Sequence, residues 1–191
     1  MTDNLDVRLN NALDRLLDPN LLHGLGIGNE IGFYIFDYPA ERELYVRERI
    51  AALVHDIERR RPDFRVVHVN LFDMVVDHLE ERGLLQKAIA LQQQKGDTAL
   101  NSRLSAPLHG DRLAKVFVEK VQPQSSDLVL LSGVGSAYPL VRSHNLLNSL
   151  HAVMGNTPLV TFYPGRYDGQ TLRLLDRVQD ENYYRAFKLV P

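Results

Sequence analysis

The sequence predicts an α/β domain: a mostly parallel sheet of about five strands with helices on both faces, P-loop-NTPase-like in topology but lacking a Walker A motif. Three observations predict it. Continuous apolar runs rich in β-branched and aromatic residues begin at Ile31, Val66, Leu128 and Pro158, the pattern of strands buried on both faces. Segments with apolar residues at helical spacing lie between these runs. The separations also leave room for the crossovers of about a dozen residues or more that parallel neighbours require.

The elements follow in order. Leu5, Leu9, Ala12, Leu13, Leu16 and Leu17 give an amphipathic opening helix, ended by Pro19 and Asn20, and Gly24, Gly26 and Gly28 then make a loop. The Ile31 to Phe36 run is the first strand. After Asp37-Tyr38-Pro39 it feeds a helix bearing Val46, Ile50, Leu53, Val54 and Ile57. A second strand, Val66 to Leu71, precedes a helix with Phe72, Val75, Val76 and Leu79 on one face, stopped by Gly83. Residues 84 to 110 carry Gln92-Gln93-Gln94 and few large apolar side chains, and they read as surface helices, a candidate insertion with a mobile tip. Leu113, Val116, Phe117 and Val121 mark a further helix leading to the strand at Asp127 to Ser132 and the turn at Gly133 to Ala137. Pro139 suits the first position of the next helix, whose Leu140, Val141, Leu146, Leu147 and Leu150 face the sheet. Pro158 to Tyr163 is another strand, and Tyr184 to Val190 ends the sheet at an edge.

Composition bounds the function. The 191 residues are 45% hydrophobic and 24% charged, as expected of one globular domain spanning 1–191. Cysteine is absent, which removes disulfides and thiolate chemistry and suits a reducing compartment. No apolar run reaches the roughly 20 residues of a membrane span, and the polar, acidic start is unlike a signal peptide. The expectation is a cytoplasmic protein. A net charge of -2 gives no global field for phosphate backbones.

Ligands of such sheets bind beyond the carboxyl ends of the strands. The first strand-to-helix loop, Asp37 to Glu43, has no glycine, no phosphate-binding lysine and three carboxylates, a poor seat for a triphosphate. The better candidate is Ser132 to His144. Gly133 and Gly135 admit close backbone approach, Ser136, Tyr138 and Pro139 follow, and Arg142 and His144 start a helix able to hold an anion. The bland reading has equal weight: a tight turn, a packed Tyr138, Arg142 paired with a carboxylate and a solvated His144. Ser132 or Ser136 with His144 lacks the G-x-S-x-G elbow of a hydrolase. His68, Asp73, Asp77 and His78 lack a metal-site pattern and read as a solvated polar face. The loop Tyr163-Pro164-Gly165-Arg166-Tyr167-Asp168-Gly169 brings two aromatics, an arginine and two glycines to the same edge, a composition enriched at interface anchors, with a plain turn and a packed tyrosine as the competing reading. No catalytic residue, metal or cofactor is expected.

The Ser132 to His144 segment, followed by Pro158 to Tyr163 and Pro164-Gly165, resembles the BrxB proteins of BREX phage-defence systems. The likeness extends to the Leu5 helix, the Phe33 to Pro39 strand end and the Tyr184 to Pro191 finish. The resemblance implies an accessory component encoded with an ATPase, a DNA adenine methyltransferase and the alkaline-phosphatase-like PglZ, in a complex that methylates host DNA and excludes unmodified phage. It assigns no enzymatic activity. The expected role is therefore a non-catalytic adaptor binding PglZ through Tyr138, Arg142, Tyr163 and Arg166, reaching DNA only through the complex. Two rivals stand beside it: a nucleic-acid-binding subunit using Arg59-Arg60-Arg61 and Arg65, and an unrecognised hydrolase or nucleotide-binding enzyme.

Overall fold

The alternation of apolar runs and helical periods becomes a parallel sheet in the computed structural model, which describes residues 4–22, 32–179 and 186–190. In chain order the elements are α1 (Asn4–Leu16), α2 (Pro19–Leu22), β1 (Phe33–Tyr38), α3 (Glu43–Arg60), β2 (Val66–Asn70), α4 (Leu71–Glu81), α5 (Leu85–Leu104) and α6 (Gly110–Val121). They continue with β3 (Leu128–Ser132), α7 (Val134–Ala137), α8 (Ser143–His151), β4 (Leu159–Tyr167), β5 (Leu172–Leu174), β6 (Val178–Gln179) and β7 (Phe187–Lys188). Five strands pair in parallel in the order β2-β3-β4-β1-β7. β5 and β6 add an antiparallel extension to the far end of β4.

Alternation along each strand divides the core into two layers. Tyr34, Phe36, Leu128, Leu130, Val160 and Phe162 face α1 and α3 and pack on Leu9, Leu16, Val46, Ile50 and Ile57. Phe33, Ile35, Val129, Leu131 and Leu159 face the other way, onto Met74, Phe117, Leu146 and Leu150 of α4, α6 and α8. The connection after β1 therefore crosses one face and those after β2 and β3 cross the other, which sets a topological switch point at the carboxyl end of β1.

Several boundaries differ from the sequence reading. Leu71 is the first residue of α4 instead of the last of β2, because Asn70 caps that helix with its side chain, accepting from Phe72 N and Asp73 N. The helices expected in the 84–110 segment are the two halves of α5, which meet at a non-helical Gly96 (φ 75°); their tip is exposed, while Ala88, Leu104 and Leu108 anchor the segment in the core. Pro139 does not start a helix. Tyr138, the residue before proline, is extended (φ -73°, ψ 139°), as a pre-proline residue prefers, and α8 begins only at Ser143 after a turn. The expected loop at Tyr163 to Gly169 is strand as far as Tyr167, the far half of β4, with the turn confined to the residues after it. Gly165 (φ 142°) makes this possible, since a Cβ there would lie 2.1 Å from the Arg173 carbonyl oxygen of β5. The last strand, β7, does lie at the sheet edge beside β1. The Gly24, Gly26 and Gly28 loop falls outside the described residues.

Candidate functional site

The carboxyl ends of β1, β3 and β4 meet at the switch point, and the chain fills this position with its own groups. Asp37, near the end of β1, is buried and accepts Arg8 of α1 at 2.7 Å, the Tyr167 backbone N–H at 3.1 Å and Lys188 of β7 at 3.5 Å. Arg8 donates further to the backbone oxygens of Asp37 and Val190. Tyr38 donates to Glu43 at 2.5 Å, and burial followed by that carboxylate pushes its hydroxyl far above the usual phenol range. The first helix, the last strand and the β4–β5 hairpin thus converge on the turn where a phosphate-binding loop would lie.

The glycines after β3 serve the same closure. Gly133 is in the left-handed region (φ 71°), and a Cβ on it would lie 2.0 Å from the Asn70 Oδ1 that caps α4. A Cβ on Gly135 would meet Pro164 Cγ at 2.8 Å. The close approach that sequence alone left open to a ligand is made by Asn70 and Pro164. The hydroxyl of Ser136 is exposed and accepts from Arg47 of α3 at 3.4 Å. Tyr138 is half-buried, Pro139 and Arg142 are exposed, and His144 is half-buried in the first turn of α8. The Arg142 carbonyl accepts from Leu146 N at 3.3 Å in the first turn of α8, while no hydrogen bond or ion pair ties its guanidinium to another described residue.

The second expected group separates on inspection. Tyr163 is fully buried, so it is a core residue and not a surface anchor; its position on β4 turns it into the α4 and α8 layer. Gly165 is likewise buried. Arg166 is exposed and pairs with Asp176 at 2.8 Å. Exposed apolar side chains that sequence reading passed over stand nearby. Leu44, in the first turn of α3, is 71% exposed, and Phe72, in the first turn of α4, is 37% exposed. Phe72 counts in sequence only as a member of a helical face and Leu44 lies outside the α3 pattern; the exposure of both follows from heading helices that start at the carboxyl edge of the sheet.

Other candidates resolve in the same way. Arg59, Arg60 and Arg61 pair with Asp56, Asp14 and Asp63, and Arg65 bonds to Ser125 and Gln122, so that cluster offers its own acids before it offers a phosphate site. His68 of β2 contacts the Ser132 hydroxyl at 2.8 Å, a pairing the sequence had sought at His144. Burial lowers the His68 pKa, with Asp73 opposing. Ser132 itself is buried. Asp77 pairs with Lys120, whereas His78 is buried instead of solvated. Among the described residues no three metal-ligating side chains gather, and no helix is long and apolar enough to cross a membrane.

Comparison with known proteins gives the lineage. The family model described as BREX protein BrxB matches residues 67–189. The chain is 42% identical to a BREX protein BrxB of Escherichia coli O9:H4 (strain HS), over 98% of this chain and 92% of that one. It is 41% identical to a BREX protein BrxB of Bacillus cereus (strain H3081.97), over 97% of each. No solved structure matches it. The chain belongs to the BrxB family and is a BREX-system protein.

Proposed function

Proceeding from that membership, we propose that the protein is a non-catalytic adaptor of a cytoplasmic BREX phage-defence complex, binding PglZ directly and supporting host DNA methylation and phage exclusion. The observation that carries this reading is the closed switch point. Asp37, Arg8, Lys188 and the β4–β5 hairpin occupy the crevice in which an α/β enzyme of this architecture binds its substrate. Around it, the same end of the molecule offers apolar Leu44 and Phe72 beside polar Arg47, Ser136 and Arg142. Exposed apolar side chains and arginines at one end of a molecule have the composition of protein interfaces.

Co-expression of tagged protein with PglZ, the ATPase and the methyltransferase in turn tests the reading. The expected result is a complex of defined molar mass with PglZ that survives gel filtration. Co-purification with another subunit alone would remove PglZ as the direct partner. In parallel, ATP and GTP should leave the melting temperature unchanged, because ligands stabilise only what they bind. A saturable rise with either nucleotide would instead make the protein a nucleotide-binding enzyme or sensor.

A further inference from the structure

A cavity of about 260 Å³ opens between the turn at Pro139, the start of α8 and the junction of α5 with α6. Its polar walls are Asn101, Ser105, His109, Arg142 and Asn145, and no aspartate or glutamate lines it. Arg142 is exposed, and no carboxylate of the described residues pairs with it. The wall is fixed closely: a Cβ on Gly110 would lie 2.8 Å from the Asn145 backbone oxygen, so α6 and α8 touch at this point. His109 Nδ1 is engaged by Asp111, 3.4 Å from its backbone N–H and 3.5 Å from its carboxylate, which leaves Nε2 as the ring's other polar atom. The lining therefore combines Arg142, two asparagines, a serine and a histidine with apolar Leu108, Pro139, Leu140, Val141 and Leu146; the Asp111 carboxylate lies 3.5 Å from His109 Nδ1 but is not part of the lining.

Such a donor-rich lining selects an oxyanion, and the arginine fork matches a carboxylate in particular. The volume of about 260 Å³ lies just under the roughly 300–1,000 Å³ of small-molecule sites, a space suited to a single side chain. A nucleic-acid backbone would need a track of cations, and Arg142 is the lone Lys or Arg in this lining. We propose that the cavity receives an aspartate or glutamate side chain of the partner protein, with Arg142 as its charge partner. This deepens the adaptor reading and rests on it, and it adds Asn101, Ser105, His109 and Asn145 to the binding surface.

The test uses the full chain and two probes, an N-acetylated, C-amidated tri-glutamate peptide and its tri-glutamine counterpart, followed by NMR at low salt. Tri-glutamate should shift the side-chain amide signals of Asn101 and Asn145 and the His109 ring signals in a saturable way. Tri-glutamine should not, and Arg142→Gln should bind tri-glutamate at least tenfold more weakly. No saturable shift, equal response to both peptides, or unchanged binding by Arg142→Gln would each overturn the proposal. Inorganic phosphate binding more tightly than the peptide would also overturn it, in favour of a phosphate ligand. The complex with PglZ provides the second arm, in which Arg142→Gln should weaken association at least tenfold while its melting temperature stays at the wild-type value. An unweakened complex overturns the assignment of the cavity to that partner. Absence of any wild-type complex overturns the adaptor reading, and the partner assignment with it, whereas the peptide titration reports on the cavity alone, so the two failures are separable.

Discussion

At the scale of single residues, identity was legible from sequence where backbone chemistry demanded it and illegible where the answer depended on what lay across space. The paired glycines after β3 announced a close approach, but not that the approaching groups were Asn70 and Pro164. Their structural role makes a direct prediction. Gly133→Ala should cost about 2–4 kcal/mol, from the left-handed backbone and the collision with the helix cap, as read by urea denaturation. Gly155→Ala, with φ 58° but no atom within 4 Å of an added Cβ, should cost only about 1 kcal/mol; equal costs would contradict the packing argument. For Tyr163 the packed reading holds and the interface-anchor reading does not, because composition beside Pro-Gly and an arginine does not show what lies across the sheet. Fully buried, Tyr163 should on mutation to alanine lose about 3–5 kcal/mol of stability and so cannot report on an interface. The histidines give a pH dependence. Burial lowers the pKa of His68 and, with Arg82, that of His78, so the unfolded chain binds more protons and stability rises with pH. Stability is full above the unfolded value of about 6.5 and declines as pH falls below it. His68→Gln should flatten that decline in denaturation experiments at pH 7 and pH 5, and an identical decline would show that His68 does not contribute.

At the scale of elements, the long runs were readable because a strand buried on both faces must be continuously apolar and a helix on a sheet must repeat at its own period. β1 to β4, α3 to α6 and α8 therefore lie within a few residues of expectation, apart from the late start of α8, while the expected turn at Gly133 to Ala137 is the short helix α7. β5 and β6, three and two residues long, are too short to carry a period, and they changed the site most by turning an expected loop into a hairpin. Asp37 shows how elements are joined. It ties α1, β7 and the β4–β5 hairpin to β1 through Arg8, Lys188 and the Tyr167 amide. Asp37→Ala would leave the Arg8 charge partly buried without its partner, a loss of about 3 kcal/mol. Hydrogen exchange should then quicken in α1 and β7 together. Faster exchange in one alone would mean that the carboxylate is not their common anchor.

At the scale of the whole molecule, Arg8, Lys188 and the β4–β5 hairpin converge on Asp37 near the carboxyl end of β1, and exposed Leu44 and Phe72 head helices that start at the same edge of the sheet. The fold class and lineage were legible because they are written in periodicity and in the Ser132 to His144 segment. The surface was not, because exposure of Leu44 and Phe72 follows from where their helices begin, and the cavity at Arg142 joins residues from 101 to 146. The central claim is that this surface, and not a catalytic centre, does the work. The most direct measurement is the affinity for PglZ of wild-type protein and of a Leu44→Ser, Arg142→Ala double variant with matched melting temperatures. The account predicts a measurable wild-type complex weakened by about 2 kcal/mol or more, the sum expected for two anchors. A complex of undiminished affinity would contradict it.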